Sequence, residues 1–367
     1  VRGHSQRQIL SALSAPETVS SIAVFELAGT SSFKPQTGDT TTIKLWGGGG
    51  SSAGCNALSG KRGGAAGGSY AQSALALSIT TYAVVVAGTR NATANSGAKG
   101  NSSTFGGTMV VAEGGNGSGT ADQFGGLGSV SASTGQTLRR GGNGANGDST
   151  YSGGGGGGAG TTGNGGDCQT GGLYFGAGTS INGGNGGTAR NSASSGQAGS
   201  NYGGGGSGAW RTSSGSYFGG NGAQGKAEIV FTAIKYQIPH NSTFNSNVWS
   251  MLHGSTVITS GSLVLTSAPA NTMLARFTDK EVYPGQRIRL TATFVGITQY
   301  IFIVLGNAAG VFQSNITVTT FAVETGTLDF TYDVPKNLLG PMYLSVRGGV
   351  NISSGSLTNI GLEIVET

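Results

Sequence analysis

Two cysteines and three histidines are all the thiol and imidazole ligands that the 367-residue chain offers to zinc, and only 10% of its residues are charged. Cys55 and Cys168 stand in glycine-rich sequence, whereas His4, His240 and His253 lie outside it. A tetrahedral zinc site needs four such ligands together, so neither a metal nor a cofactor is expected. A chain of this length can bury a core without covalent staples, and the two cysteines leave both a disulfide and a pair of free thiols open. Catalytic signatures are missing too: there is no GxSxG elbow, no HExxH and no paired carboxylate motif. GAGTTG at 158–163 fits a dinucleotide-binding pattern in letters only, since no strand precedes it. Gly54 to Lys61 misses a phosphate loop by one residue, with Arg62 where Ser or Thr belongs. An enzyme is therefore not expected. Lys plus Arg exceeds Asp plus Glu by 20 to 15, but the basic residues never run longer than Lys61-Arg62 or Arg139-Arg140. Nucleic-acid binding calls for a basic stripe, which this is not. No apolar run reaches the length of about 18 residues that suggests a membrane span. Residues 1–21 lack the apolar centre of a secretory signal peptide and read as a short N-terminal docking segment.

Proline is absent from 47–225, the stretch that holds 57 of the 72 glycines. Collagen needs imino acids beside every third glycine, so that architecture is excluded. A calcium-binding β-roll needs a regular aspartate, and Asp122, Asp148 and Asp167 are too few. A flexible linker is the remaining simple reading of glycine and serine. Against it stand a strand entering the stretch, TTIKLW at 41–46, and another leaving it, AEIVF at 227–231. The run SALALSITTYAVVVAG at 73–88 reads as one or two buried strands. The motif GGNG recurs at 114–117, 141–144, 183–186 and 219–222.

Glycine tracts have an ordered alternative, the extended left-handed helix with three residues per turn. Without Cβ atoms such helices can pack closely enough to hydrogen-bond sideways, which satisfies their peptide groups. Ordering glycine is entropically costly, so the bracketing strands are needed as a frame. The fold class expected is mostly β, a polyglycine II helix lattice framed by strands over 22–232, followed by a β-sandwich over 233–367, with essentially no long helices.

The junction IKLWGGGG, the segment YAVVVAG, the GGNG tracts and the closing NGAQGKAEIVFT together resemble the glycine-rich domains of bacteriophage tail-fibre and receptor-binding proteins. The resemblance implies a stack of polyglycine II helices whose connecting loops meet the host cell surface. The inserts CQTGGLYFGAG (168–178) and AWRTSSGSYFGG (209–220) carry Leu173 and the candidate contact residues Tyr174, Phe175, Trp210, Arg211, Tyr217 and Phe218. Large side chains cannot enter a close-packed glycine lattice and belong at its ends or edges, where they either meet a partner or cap the lattice.

From Ile234 onward short strand-like runs follow one another: 256–267, 272–278, 286–296, 300–306, 315–323, 326–334, 341–349 and 356–366. With no helical period, they predict an antiparallel, jelly-roll-like sandwich. VYPGQRIRLTATF, TFAVETGTLDFTYDVP and YLSVRGG resemble carbohydrate-binding-module jelly rolls, which implies a glycan-facing surface with Trp249, Tyr300, Tyr343 and Arg347 as its nearest candidates. The functional expectation is a non-enzymatic virion adhesin, extracellular, binding a glycan or protein on a bacterial surface. Its expected partners are that receptor, other tail proteins and two further copies in a homotrimer. The alternatives are a structural fibre or decoration protein and a secreted surface-filament protein.

Overall fold

Residues 18–46 build three strands before the first glycine tract: β1 (Thr18–Phe25), β2 (Gly29–Phe33) and β3 (Thr40–Trp46). The computed structural model describes residues 18–55, 60–94, 96–119, 123–179, 181–212, 215–234, 249–251, 256–259, 262–266, 273–277, 281–297, 301–306, 312–321, 324–338, 340–348 and 354–365. Most of the expected docking segment lies outside them. In β3 Thr41, Ile43 and Leu45 are buried and Thr42 and Lys44 half-buried, the alternation of a strand with one covered face. Then come β4 (Gly60–Lys61), β5 (Tyr70–Ala76), β6 (Tyr82–Val86), β7 (Ser103–Phe105), β8 (Val110–Ala112), β9 (Thr137–Arg139), β10 (Trp210–Arg211) and β11 (Lys226–Ile234). They form two small antiparallel sheets, β1-β11-β3-β5-β9 and β2-β6-β7-β8, plus the ladder β4-β10. Phe33, Ile43, Leu45, Val84, Phe105 and Ile229 share one apolar cluster. Burying each such side chain contributes about 1.5–3 kcal/mol, and this is the frame the glycine tracts lack.

Beyond Trp46 the backbone hydrogen bonds turn by a third of a revolution per residue. Gly47 and Gly50 donate to Ser69 and Ala66, Gly48 and Ser51 to Asn101 and Ala98, and Gly49 and Ser52 to Ala223 and Gly220, all at 2.8–3.0 Å. Each direction returns after three residues, which is the period of the polyglycine II helix. The central tract, 62–69, is enclosed on six sides. Its N–H groups reach carbonyls in 203–209, 142–145 and 113–116, while its carbonyls accept from 153–159, from 47–50 and from Gly126. Such a lattice satisfies buried peptide groups as a sheet does, but in all directions around each strand.

The repeated asparagines complete this pattern. Oδ1 of Asn143, Asn185 and Asn221 accepts from the N–H of Gly128, Gly178 and Ala92, each at 2.8 Å, and Asn164 does the same for Arg140 at 3.0 Å. Asn116 donates Nδ2–H to the Leu127 carbonyl instead. In each case a carboxamide stands in for a peptide group across a gap between tracts, which explains the GGNG repeats. Asn221→Ala is expected to cost about 1 kcal/mol, a fall of about 2–4 °C in the melting temperature of a domain this size. Asn221→Asp keeps the acceptor and should melt near the wild type.

Charges sit where lattice meets sheet. Lys226 is buried with its ammonium 5.3 Å and 5.4 Å from the Trp46 and Tyr202 ring centres and 3.5 Å from Glu228, which also pairs with Lys44 at 2.7 Å. Glu113 pairs with Lys99 and accepts from Ala132 N–H at 3.0 Å. Burial pushes both carboxyls up, but these partners outweigh it and hold them below the usual carboxylate range. A depressed folded-state pKa gives stability that is present above the unfolded value of about 4.3 and lost as pH falls through the folded one. Thermal melts should therefore be level from about pH 7 to 5 and fall below about pH 4. Glu113→Gln should flatten part of that acid slope.

The C-terminal strands are β12 (Trp249–Met251), β13 (Thr256–Thr259), β14 (Ser262–Thr266), β15 (Met273–Phe277), β16 (Arg287–Ile297), β17 (Ile301–Gly306), β18 (Phe312–Phe321), β19 (Glu324–Asp333), β20 (Tyr343–Gly348) and β21 (Ser354–Val365). They form two five-stranded sheets ordered β12-β15-β20-β17-β18 and β13-β14-β21-β16-β19. Taken from β14 to β21, the orders β14-β21-β16-β19 and β15-β20-β17-β18 are those of a jelly roll, with β12 and β13 added at the edges. No helix occurs among the described residues.

The jelly roll is fastened to the glycine-rich domain by a plug. Tyr283 is fully buried, its ring centre 6.5, 5.2 and 6.0 Å from those of Phe25, Phe33 and Phe231. Its hydroxyl accepts from Lys34 N–H at 2.9 Å, Val24 N–H donates to the Pro284 carbonyl at 2.7 Å, and Gln286 Nε2–H donates to Ser21 Oγ at 2.9 Å. Gly285 has φ of 85° and lies against Val24, a place where a side chain would meet both backbone strain and a clash. The two domains therefore share one apolar core.

Candidate functional site

One end of the lattice meets the sheets, together with the turns at 160–163, 181–183 and 200–203, and a second set of connecting segments collects at the other. Gly54 N–H donates to Thr93 O at 3.0 Å, Cys55 N–H to Tyr217 O at 2.7 Å, and Gly147 N–H to Gln123 O at 2.7 Å. Ser152 donates to Arg190 O, Ala189 to Tyr174 O, Ser194 to Trp210 O and Gly196 to Phe218 O, at 2.8–3.0 Å. These bonds lay the segments around 54–62, 147–153, 168–175, 189–196 and 209–218 side by side. The six residues selected from the inserts all come to this distal end, in two patches separated by the loop 189–195.

Their surroundings differ. Tyr174, Phe175 and Phe218 are 48, 44 and 54% exposed, and Leu173 beside them is 51% exposed. Trp210 and Arg211 are half-buried in β10, opposite Lys61 and Gly60, and the Lys61 ammonium lies 5.5 Å from the Trp210 ring centre. Tyr217 is half-buried, with its backbone bonded both ways to Cys55. Trp210 and Tyr217 thus build the end of the lattice, and Tyr174, Phe175 and Phe218 face outward from it.

Cys55 and Cys168 are both buried free thiols. Burial raises the Cys55 pKa against the lowering effect of Arg62 and Arg211, and raises that of Cys168 to about 11. Both remain protonated at neutral pH and are poor nucleophiles.

Sequence reasoning passed over Phe124, which is 64% exposed at the same end. It also passed over Lys61, Arg62 and Arg190 as members of this end. A signal existed for the first: Phe124, Phe175 and Phe218 each immediately precede a glycine that opens a tract. Alongside Phe175 a shallow groove of about 270 Å³ runs between tracts 183–189 and 195–200, lined also by Asn185, Thr188, Gln197 and Ser200.

In the jelly roll the structure describes three of the four candidates, Trp249 in β12 and Tyr343 and Arg347 in β20. Tyr343 and Arg347 share a face of β20, and Arg276 lies opposite Ser345 between them. The Arg276 guanidinium is 5.5 Å from the Tyr343 ring centre. Tyr343 donates to Glu281 Oε1 at 3.0 Å, and burial with the nearby Glu281 charge pushes its pKa up to about 12. Ser345, between them, is fully buried, so this face is covered at its middle. In β12 it is Ser250 that pairs with Arg276, while Trp249 pairs with Phe277. Tyr300 lies outside the described residues.

The three-residue hydrogen-bond period, the framing sheets and the clustered loops define a polyglycine lattice domain that presents one end to solvent. A sequence profile described as a glycine-rich domain matches residues 26–232, more than half of the chain, and the protein belongs to that family. No curated protein matches it in sequence.

Proposed function

We propose that the protein is an adhesin of a virion tail fibre, acting outside the cell, which binds a glycan or protein on a bacterial surface through the distal end of its glycine-rich domain. The observation that carries this reading is the asymmetry of the lattice. One end is fused to sheets and plugged by the jelly roll, whereas the other displays Phe124, Leu173, Tyr174, Phe175 and Phe218 on segments held by backbone hydrogen bonds. Exposed aromatics on a rigid support are poor for solubility and good for contact, because little side-chain entropy is lost on binding. The carbohydrate-binding-module likeness of the jelly roll supports a second, weaker contact around Tyr343 and Arg347.

Purified protein added to candidate host cells tests the reading. An adhesin should adsorb to susceptible cells and block infection in proportion to the amount bound. Protein that neither adsorbs nor protects would instead be a spacer or decoration of the fibre.

A further inference from the structure

From the charge and shape of the distal end we infer that its ligand is an anionic glycan, a sugar chain carrying phosphate or carboxylate groups; this rests on the adhesin reading above. Four basic side chains, Lys61, Arg62, Arg190 and Arg211, sit on the segments that meet there. Among the described residues of these segments the one acid is Asp148, whose carboxylate is kept ionised by the N–H groups of Tyr151 and Thr150 at 2.7 and 2.6 Å and by the nearby Lys61 charge, and offsets one of the four cations. With four cations against one anion this end carries an excess of positive charge, and its complement is negative.

The positions of these cations point to a sugar rather than an acidic protein loop. Arg190 lies in the loop that joins tracts 183–189 and 195–200, the two walls of the groove beside Phe175. Its Nε–H donates to the Ser195 carbonyl at 3.1 Å and its N–H to Ser152 Oγ at 2.8 Å, which fixes it at the distal mouth of that groove. Below it the lining is one aromatic ring, two carboxamides and two hydroxyls, from Phe175, Asn185, Gln197, Thr188 and Ser200. Phe175 offers a face for the C–H side of a pyranose, and the carboxamides of Asn185 and Gln197, whose oxygens are taken by the N–H groups of Gly178 and Thr188, offer nitrogen donors for its hydroxyls. At about 270 Å³ the groove is smaller than the enclosed pockets of about 300 Å³ upward that take drug-sized ligands, which suits a single ring lying in a shallow surface site. Arginine then supplies planar, paired donors for a phosphate or carboxylate on the next residue of the chain.

The test is retention of the full chain on immobilised phosphomannan, polygalacturonate and dextran, together with adsorption to cells, at low and high salt. The expected result is at least tenfold stronger retention on one anionic polymer than on neutral dextran, falling several-fold between about 0.05 and 0.3 M NaCl as screening shortens the reach of the tip charges. The polymer retained tells phosphate from carboxylate. Arg190→Gln with Lys61→Gln should weaken that retention about tenfold while the domain stays folded, melting only a few degrees lower for the loss of the Lys61–Trp210 and Arg190–Ser195 contacts. Should the variant fail to fold, the salt dependence of the wild type decides alone. Equal retention on dextran, or retention indifferent to salt, overturns the inference. Retention on none of the three with cell adsorption intact also overturns it and leaves adhesion standing, while absence of cell adsorption overturns the adhesin reading itself.

Discussion

Gly155→Val is expected to leave the glycine-rich domain unable to reach its native, protease-resistant state. Gly155 lies between three tracts: its N–H donates to Gly187 O at 2.8 Å and its carbonyl accepts from Gly176 at 2.7 Å. A Cβ built on it would fall on the carbonyl of Gly205, far inside the 3.0 Å that real contacts respect. The obstacle is backbone, which cannot rotate away as a side-chain tip can. Separating the tracts would release hydrogen bonds worth about 1 kcal/mol each on top of an overpacking cost of about 1–3 kcal/mol. A total loss of about 4 kcal/mol or more is in the range that unfolds a marginal domain. Position matters more than composition, since Ala65 and Ala66 are accommodated in the central tract. Gly163→Ala is the control: its Cβ would meet nothing nearer than the Thr179 methyl at 4.0 Å, and its stability should stay within about 0.5 kcal/mol of the wild type. Limited proteolysis and thermal melts of the two variants separate the outcomes. If Gly155→Val is as resistant as Gly163→Ala, the tracts are not packed as a lattice.

The frame was legible in the sequence because it obeys ordinary rules. Thr41–Trp46 and Ala227–Phe231 alternate as strands do, and they fall within β3 and β11. The eight runs after residue 255 match β13 to β21, with the first run folding into the hairpin β13–β14. Tract order was not legible. Which tract lies against 62–69 is decided by backbone N–H and C=O groups that every glycine has alike, so composition carries no address. The exceptions are the asparagines, whose carboxamides mark particular neighbours, and GGNG was visible as a repeat without its meaning. β1 and β2 were missed because TVSSIAVF and GTSSF mix small polar residues into weak alternation. Similarly, the inserts announced which large side chains leave the lattice, but not which of them face outward. Trp210 is held over Lys61 by the pairing of two-residue strands, a contact between positions about 150 apart that no local pattern encodes.

That distinction decides where binding energy should sit. Sequence alone offered Tyr174, Phe175, Trp210, Arg211, Tyr217 and Phe218 alike, as contact residues or as caps of the lattice. The structure moves the expectation to Tyr174 and Phe218, which are exposed on either side of the Arg190 loop. Tyr174→Ala with Phe218→Ala removes two rings and leaves every backbone bond of their segments in place. Aromatic truncation at the centre of an interface costs about 2 kcal/mol or more, and 1.4 kcal/mol is tenfold in affinity. Adsorption should thus fall by about 30-fold or more with a melting temperature within about 1 °C of the wild type. Several copies on one fibre would mask part of the loss through avidity, so the measurement belongs on the purified chain at low coverage. Trp210→Ala should do the reverse. Its ring is half-buried under the Lys61 ammonium beside the β4-β10 ladder, and losing it should lower the melting temperature by several degrees. A Tyr174/Phe218 variant that adsorbs normally would place the contact elsewhere, at Phe175 and its groove or on the jelly roll around Tyr343 and Arg347.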